Sequence, residues 1–405
     1  MNDLKDIRMK GFKKRTHFHK VFDVIKEHIT RTSTESLSID NCIFRVIAQD
    51  INSPSDIPPF NRSAVDGYAL KAEDTYGTSQ YNPSKLKIIG ECSAGDPQHT
   101  IKKTEALRIM TGSIIPKGAD ACVMAEYCEE KDNFVLVHKP VAGGGNICIQ
   151  GEDIKKGAHV FCKGTRITPY AAGILASIGH TKIKVYRKPK VAIIVTGDEL
   201  VEKKPKQGQI IDSNTHTLNG LVRDCRAEIT SKKRVKDNYN EIRTELLSSD
   251  ADIIIISGAT SCGKKDYVPL VVNECGRLLI HGVAMKPASP FGIGTIGKKT
   301  VFLLSGNPVA VCTAFDFFVR FALEAMQSIT ASEKTTVHGV LTKKIASAPG
   351  RTDIFRVKYH DGKIEPIRIS GSGILSSMIR ANAYLVVPEN IDGYSEGTKV
   401  SVRLF

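Results

Sequence analysis

Apolar residues recur at Phe18, Val21, Phe22, Val24, Ile25 and Ile29, a three-and-four spacing that predicts one amphipathic helix. From about Ile51 to Pro140 the pattern shortens to runs such as Lys85–Ile89 and Phe134–His138 separated by Pro and Gly, which predicts a β-rich module. Gly143-Gly144-Gly145 closes it, and a helix bearing the small residues Ala171, Ala172, Gly173, Ala176 and Gly179 follows. Between Lys190 and about Gln327, strands and helices alternate. Val191–Val195 ends in Thr196-Gly197-Asp198-Glu199, Asn214 can cap a helix reaching about Cys225, and Ile253–Ile256 ends in Ser257-Gly258. Val301–Leu304 breaks at Ser305-Gly306-Asn307-Pro308 before a long helix. Three strands ending in Gly-bearing turns predict a parallel α/β sheet with those turns on its carboxyl edge, where ligands bind. Past Lys334 the strands Val337–Ile345, Phe355–Tyr359, Ile364–Ile369, Ala383–Val387 and Lys399–Leu404, with Asp361-Gly362 as a hairpin turn, predict a small barrel.

At 405 residues the chain is long enough for two to four domains. The most apolar helical stretch, Val309–Met326, carries Asp316, Arg320 and Glu324, so no membrane span is expected. No apolar segment with a cleavage site follows the basic N-terminus, and the expected location is cytoplasmic. Ten cysteines without a Cys-x-x-Cys pair read as reduced thiols. His17 and His19 lack partner ligands for a zinc site. The net charge of +14 fits either nucleic acid or an anionic small substrate. No basic stretch is interleaved with aromatics as RNA binding would need, so no nucleic-acid partner is expected. Part of the charge lies in residues 1–17, where Lys5, Arg8, Lys10, Lys13, Lys14 and Arg15 face only Asp3 and Asp6; this lead reads as a solvated tail.

Several segments carry candidate chemistry. Pro58-Pro59-Phe60-Asn61-Arg62-Ser63-Ala64-Val65-Asp66-Gly67-Tyr68-Ala69 puts a carboxylate beside a free backbone position. Arg108-Ile109-Met110-Thr111-Gly112 and Gly151-Glu152-Asp153-Ile154 are individually no more than turns. At the α/β edge, Thr196, Gly197, Ser257, Gly258, Ser261 and Gly263 let backbone N–H groups approach an anion, while Glu199 and Asp266 can hold Mg²⁺. Lys286-Pro287 and the Ser305–Pro308 turn complete the rim, with Asn307 placed to cap the next helix. Walker, Rossmann and nucleophile-elbow motifs are missing from the sequence, which disfavours those enzyme classes.

In this order, Ser-Ala-x-Asp-Gly-Tyr-Ala, Arg-Ile-Met-Thr-Gly, Gly-Glu-Asp-Ile, Thr-Gly-Asp-Glu-Leu, Asp212-Ser213-Asn214 and Gly306-Asn307-Pro308 resemble the molybdopterin molybdenumtransferases, the MoeA and gephyrin E-domain family, from about residue 20 to 405. The resemblance implies a multidomain α/β plus β chain. Its parts would be a basic lead (1–17), an elongated discontinuous domain (18–50 and 146–184), a β-rich module (51–145), an α/β molybdopterin-binding domain (185–332) and a C-terminal β-barrel (333–405). It implies a homodimer with shared active sites that inserts molybdate or tungstate into adenylylated molybdopterin with Mg²⁺ and releases AMP, downstream of a molybdopterin adenylyltransferase. Matched position by position, the functional carboxylates are Asp66, Asp153, Glu199, Asp252 and Asp266, with Thr111 as hydroxyl; Glu199, Asp252 and Asp266 would serve the metal. Lys286, Pro290, Gly306, Asn307, Arg351 and Ser372 would join the edge residues in binding.

Four departures concern the pocket. The family's Lys-Pro-Gly-Lys-Pro is Lys286-Pro287-Ala288-Ser289-Pro290, its Pro-Gly-Asn-Pro-Val-Ser ends here in Ala310, and its Ser-Gly-Gly is Ser257-Gly258-Ala259. Cys148, Ile149 and Gln150 replace arginines before Gly-Glu-Asp-Ile. Losing a lysine and a serine removes a charge and a donor from a dianion pocket, which leaves a non-catalytic pterin-nucleotide-binding or scaffolding paralogue as the alternative.

Overall fold

In the computed structural model, which describes residues 12, 14–329, 334–368, 371 and 373–405, the uninterrupted β-branched runs become strands buried on both faces. Among these residues the central sheet has the order Glu228–Val235, Lys190–Thr196, Ile253–Ser257, Lys299–Leu304, Gly292–Ile296, Arg277–His281. The first four strands are parallel, and the last two join antiparallel, so the expected parallel sheet carries an antiparallel extension. Side chains alternate as strand geometry requires. Val191, Ile193, Val195, Ile253, Ile255, Phe302 and Leu304 face one core; Ala192, Ile194, Ile254, Ile256, Val301 and Leu303 face the other. Helices Asn214–Asp224 and the run from Pro308 to Met326 cover the first face, and Tyr239–Ser248 and Val268–Cys275 the second.

Two expectations about the N-terminus change. Helix Phe18–His28, grouped above with the elongated domain, buries Phe18, Val21 and Ile25 in the first of these cores. The Phe18 ring lies 5.7 Å from Phe317 and 5.3 Å from Phe318. The segment just before it is not a solvated tail either. Thr16 N–H donates to the Gly282 carbonyl at 2.9 Å and Ala284 N–H to the Thr16 carbonyl at 2.8 Å, so the chain lies along 282–284 like an added strand.

Strand Thr34–Ser38 pairs antiparallel with Lys182–Tyr186, and Cys42, Ile47, Ile167, Leu175 and Val185 form one core from two distant segments. Between those segments lies a sheet ordered Ala121–Met124, Gly67–Leu70, Glu105–Ile109, Ser84–Cys92, Phe134–Val137, Cys128–Lys131. The predicted C-terminal strands close on themselves. Thr352–His360, Lys363–Arg368, Thr336–Leu341, Lys399–Leu404 and Ala383–Val387 follow in order, and the last pairs back with the first. The predicted strand to Ile345 stops at Leu341, and Ile345–Ala346 pairs separately with Gly393–Tyr394. The Asp361-Gly362 turn has φ of 45° and 73°, as a two-residue hairpin of this hand requires.

One buried carboxylate joins the barrel to the α/β unit. Asp316 accepts hydrogen bonds from Arg320 at 3.2 Å and from the Tyr384 hydroxyl of the barrel at 3.0 Å, while barrel Arg403 donates to its carbonyl at 2.8 Å. Arg320 also reaches Asp224 at 2.9 Å. Removing the Asp316 carboxylate would take from the buried Tyr384 phenol its acceptor and leave the buried Arg320 guanidinium with the half-exposed Asp224 as its remaining ion-pair partner. Asp316→Ala, which removes both the carboxylate's bonds and half of the arginine's pairing, is therefore expected to lower unfolding free energy by about 3 kcal/mol or more, against about 1.5 kcal/mol for Tyr384→Phe, which deletes one donor to the carboxylate. Denaturant titration of the two variants checks this, and equal losses would contradict it.

Candidate active site

The register Val191↔Ile253 and Ile253↔Thr300 brings the carboxyl ends of three strands level, so their turns meet. Gly258 has φ +100°, and a Cβ there would stand 2.1 Å from the Thr196 carbonyl; the turn packs this closely because the residue is glycine. Asn214 knits the same turns together, donating to the Ser257 hydroxyl at 3.1 Å and the Gly306 carbonyl at 2.8 Å. Ser257 in turn donates to the Ser305 carbonyl at 3.1 Å. Thr196 is buried and its hydroxyl is hydrogen-bonded to Asp237. Glu199 is exposed beside Gly197. Asp266 accepts the Gly263 N–H at 2.7 Å, closing the loop that bears Ser261 and Gly263. The loops are tied by Lys265 and Asp198 at 2.5 Å, a pair the motif reading passed over; the lysine holds the Asp198 carboxyl below the usual carboxylate range.

Beside this edge opens a cavity of about 520 Å³ between the α/β unit and the barrel. It exists because strand Met285–Lys286 leaves the α/β unit to pair with barrel strand Thr352–His360, setting Lys286 opposite Asp353. The predicted Lys286, Pro290, Asn307 and Arg351 all line it, as do the departures Ala288, Ser289 and Ala310. Lys286 is exposed to it and has no hydrogen-bond or ion-pair partner among the described residues. Arg351 is already engaged, Nε lying 2.8 Å from the buried Asp353 carboxylate. Ser289 turns its hydroxyl to the Val283 carbonyl at 3.2 Å. Asn307 occupies the N-cap position of Pro308–Ala314 without a side-chain capping bond, so the expected cap is positional only. Ala288 and Ala259 stand at φ +73° and +47°, so both turns hold a left-handed backbone with alanine in place of the family's glycine. Gly371 reaches the cavity, while Ser372 lies outside the described residues.

His281, unremarked in the sequence, ends the last strand on this edge. Burial lowers its pKa, so the neutral ring can donate from Nε2 to the Thr260 carbonyl 2.9 Å away. Only its place at the end of a strand bordering Gly282–Lys286 could have signalled it.

Asp66 and Thr111 meet on the β-rich module. The threonine's N–H and hydroxyl donate to one Asp66 oxygen at 2.7 and 2.9 Å, the backbone bond first in holding the exposed carboxyl below its ordinary range. Gly67 is required beside them, since a Cβ would stand 1.9 Å from the Val123 carbonyl. Asp153 lies past the module, exposed in a turn where its backbone N–H donates to the Ile57 carbonyl at 3.1 Å. Gln150, where the family carries arginine, is held by Asp56 at 2.9 Å and by the Asn61 side chain.

Asp252 requires a correction. It precedes strand Ile253–Ser257 and so lies on the amino edge, where Arg187 donates to both its oxygens at 2.9 Å and Lys190 N–H donates at 2.7 Å. A five-residue strand, roughly 17 Å long, separates it from Ser257. It cannot share a cation with Glu199 and Asp266. Among the described residues no group of three or more His, Cys, Asp or Glu is placed to hold a metal ion.

Comparison with known proteins agrees with this geometry along nearly the whole chain. Residues 16–179 match the MoeA N-terminal region (domain I and II), 192–325 the probable molybdopterin binding domain, and 338–405 the MoeA C-terminal region (domain IV). A molybdopterin biosynthesis protein of Methanocaldococcus jannaschii is 40% identical over 95% of this chain and 96% of its own length. A molybdopterin molybdenumtransferase of Staphylococcus epidermidis is 33% identical over 94% and 93%. The crystal structure of the molybdopterin biosynthesis moeA protein of Pyrococcus horikoshii superposes with a TM-score of 0.84 at 36% identity, covering 97% of this chain and 100% of that one. With its three regions matched in order and its relatives aligned along nearly its whole length, the chain belongs to the MoeA family of molybdenum cofactor biosynthesis.

Proposed function

We propose that the protein is a molybdopterin molybdenumtransferase, joining molybdate or tungstate to the dithiolene of adenylylated molybdopterin and releasing AMP. The observation that carries this is the cavity at the α/β–barrel junction, which collects Lys286, Pro290, Asn307 and Arg351 beside the carboxyl-edge turns. A phosphate at those turns meets backbone N–H groups, and Lys286 is a cation with no internal partner to compete with an oxyanion. Glu199 and Asp266 are the residues that would hold Mg²⁺ together with the substrate's phosphate oxygens, which is how that ion usually sits; bound there, it would neutralise charge on the phosphate bridge. Asp66 and Thr111 lie on the β-rich module, bonded to each other and exposed, which fits delivery to a neighbouring subunit's site. On this reading the protein works in the cytoplasm as a homodimer with shared sites, and a molybdopterin adenylyltransferase supplies its substrate. Among the described residues no helix is long and apolar enough to cross a membrane.

Incubating purified protein with adenylylated molybdopterin, Mg²⁺ and either oxyanion should release AMP and load metal into the pterin. No AMP above the protein-free control overturns the proposal and leaves a nucleotide-binding protein. Mixing inactive Asp66→Ala with inactive Glu199→Ala protein should restore turnover through hybrid dimers; a mixture proven to exchange subunits yet inert would remove the shared site. Asp266→Asn should weaken nucleotide binding only when Mg²⁺ is present, whereas an equal effect in chelator would remove its metal role.

A further inference from the structure

A second cavity, of about 390 Å³, adjoins the first and shares Met285, Lys286, Ser289 and Arg351 with it. Its outer wall is the N-terminal segment, through Phe12, Arg15 and His17. Two anchors fix that wall. Thr16 exchanges backbone hydrogen bonds with Gly282 and Ala284, and the Phe12 ring packs edge-on to His281 with centroids 5.0 Å apart. Gly282, at φ +91°, admits the ring, since a Cβ there would lie 2.5 Å from it. Arg15 lies between the anchors, exposed, with its guanidinium 5.8 Å from the Phe12 ring.

Charge around the joined cavities is unevenly satisfied. Asp353 is engaged by Arg351, and Glu389 is 2.9 Å from His17. Arg15 and Lys286 have no hydrogen-bond or ion-pair partner among the described residues. Position 289, where the family pattern carries a second lysine, offers a serine turned toward a backbone carbonyl. A tetrahedral dianion beside Lys286 alone would remain under-neutralised, and a planar guanidinium with several donors is well suited to an oxyanion.

We infer that Arg15, delivered by the N-terminal segment across 282–284, joins Lys286 as a cation of the oxyanion pocket free, among the described residues, of an internal carboxylate, unlike Arg351, and takes over the charge missing at Ser289. This rests on reading the cavity as the oxyanion's place. Arg15 thereby becomes an oxyanion-binding residue supplied from outside the α/β unit and the barrel.

The test measures tungstate binding to the full chain by calorimetry, without pterin, for the parent, Arg15→Ala, Arg15→Lys, Ser289→Lys and the double variant Arg15→Ala/Ser289→Lys. Arg15 is exposed, so its truncation leaves the core intact. Arg15→Ala should raise the Kd for tungstate about tenfold, or about 1.4 kcal/mol, while Arg15→Lys keeps most of the affinity. Ser289→Lys should rescue the Arg15→Ala protein by a larger factor than it improves the parent, because the two cations serve one charge. AMP binding, measured alongside, should not change. Unaltered tungstate affinity in Arg15→Ala, equal gains from Ser289→Lys in both backgrounds, or no tungstate binding by the parent overturns the inference. Weakened AMP binding with unchanged tungstate overturns it too, assigning Arg15 to the nucleotide phosphate. The transferase reading fails separately: a parent that binds tungstate through Arg15 yet releases no AMP would retain this site and lose that function.

Discussion

Asp316 sits where the α/β unit and the barrel meet, and the cavity between them depends on it. Its carboxylate is surrounded by Arg320 from its own helix and Tyr384 from the barrel, and its backbone carbonyl takes Arg403. A buried ion pair of this kind is worth little against an apolar replacement, but half of it is costly. What it supplies is register: a hydrocarbon contact can slide, whereas a carboxylate holding a phenol and a guanidinium accepts few arrangements. The helical run carrying Asp316 begins at Pro308, directly after the cavity-lining Asn307. Fixing one end against the barrel therefore fixes the other against Lys286 and Arg351.

A second constraint acts from the opposite side. Lys286 lies in a strand that pairs Met285 with Thr352 and Lys286 with Asp353, so this side of the cavity is tied directly into the barrel sheet. Arg351 immediately precedes the partner strand and Asp353 is that strand's second residue, and their ion pair spends part of the arginine's charge within the wall. A pocket built this way presents its lysine more freely than its arginine.

Much of the fold is legible in the sequence because burial on two faces leaves unbroken apolar runs, as at Ile253–Ile256, and Gly-bearing turns mark where each run stops. The ligand-bearing edge follows from strand direction. The same logic places Asp252 at the far edge, since it precedes its strand; matching motif to motif hides this, because a carboxylate beside an apolar run looks alike at either end. The Asp66–Thr111 pair could be suspected only jointly, as nothing within either segment says that residues 45 positions apart return to one another. Arg15 is illegible for a different reason. Charge density makes the lead look solvated, and its docking depends on the room Gly282 leaves for the Phe12 ring, a tertiary fact with no local pattern.

The N-terminal helix also shapes the order in which the molecule can assemble. Phe18 and Val21 pack against residues of the final α/β helix, and just beyond them Thr32 bonds to Met326 across 294 residues of chain. During vectorial synthesis this apolar face leaves the ribosome before any strand of the sheet it covers. The β-rich module, drawn from one continuous stretch, can close first. The helix must wait, its phenylalanines a natural target for chaperones that hold nascent chains, and its docking together with the Arg15 segment would come among the last acts of folding.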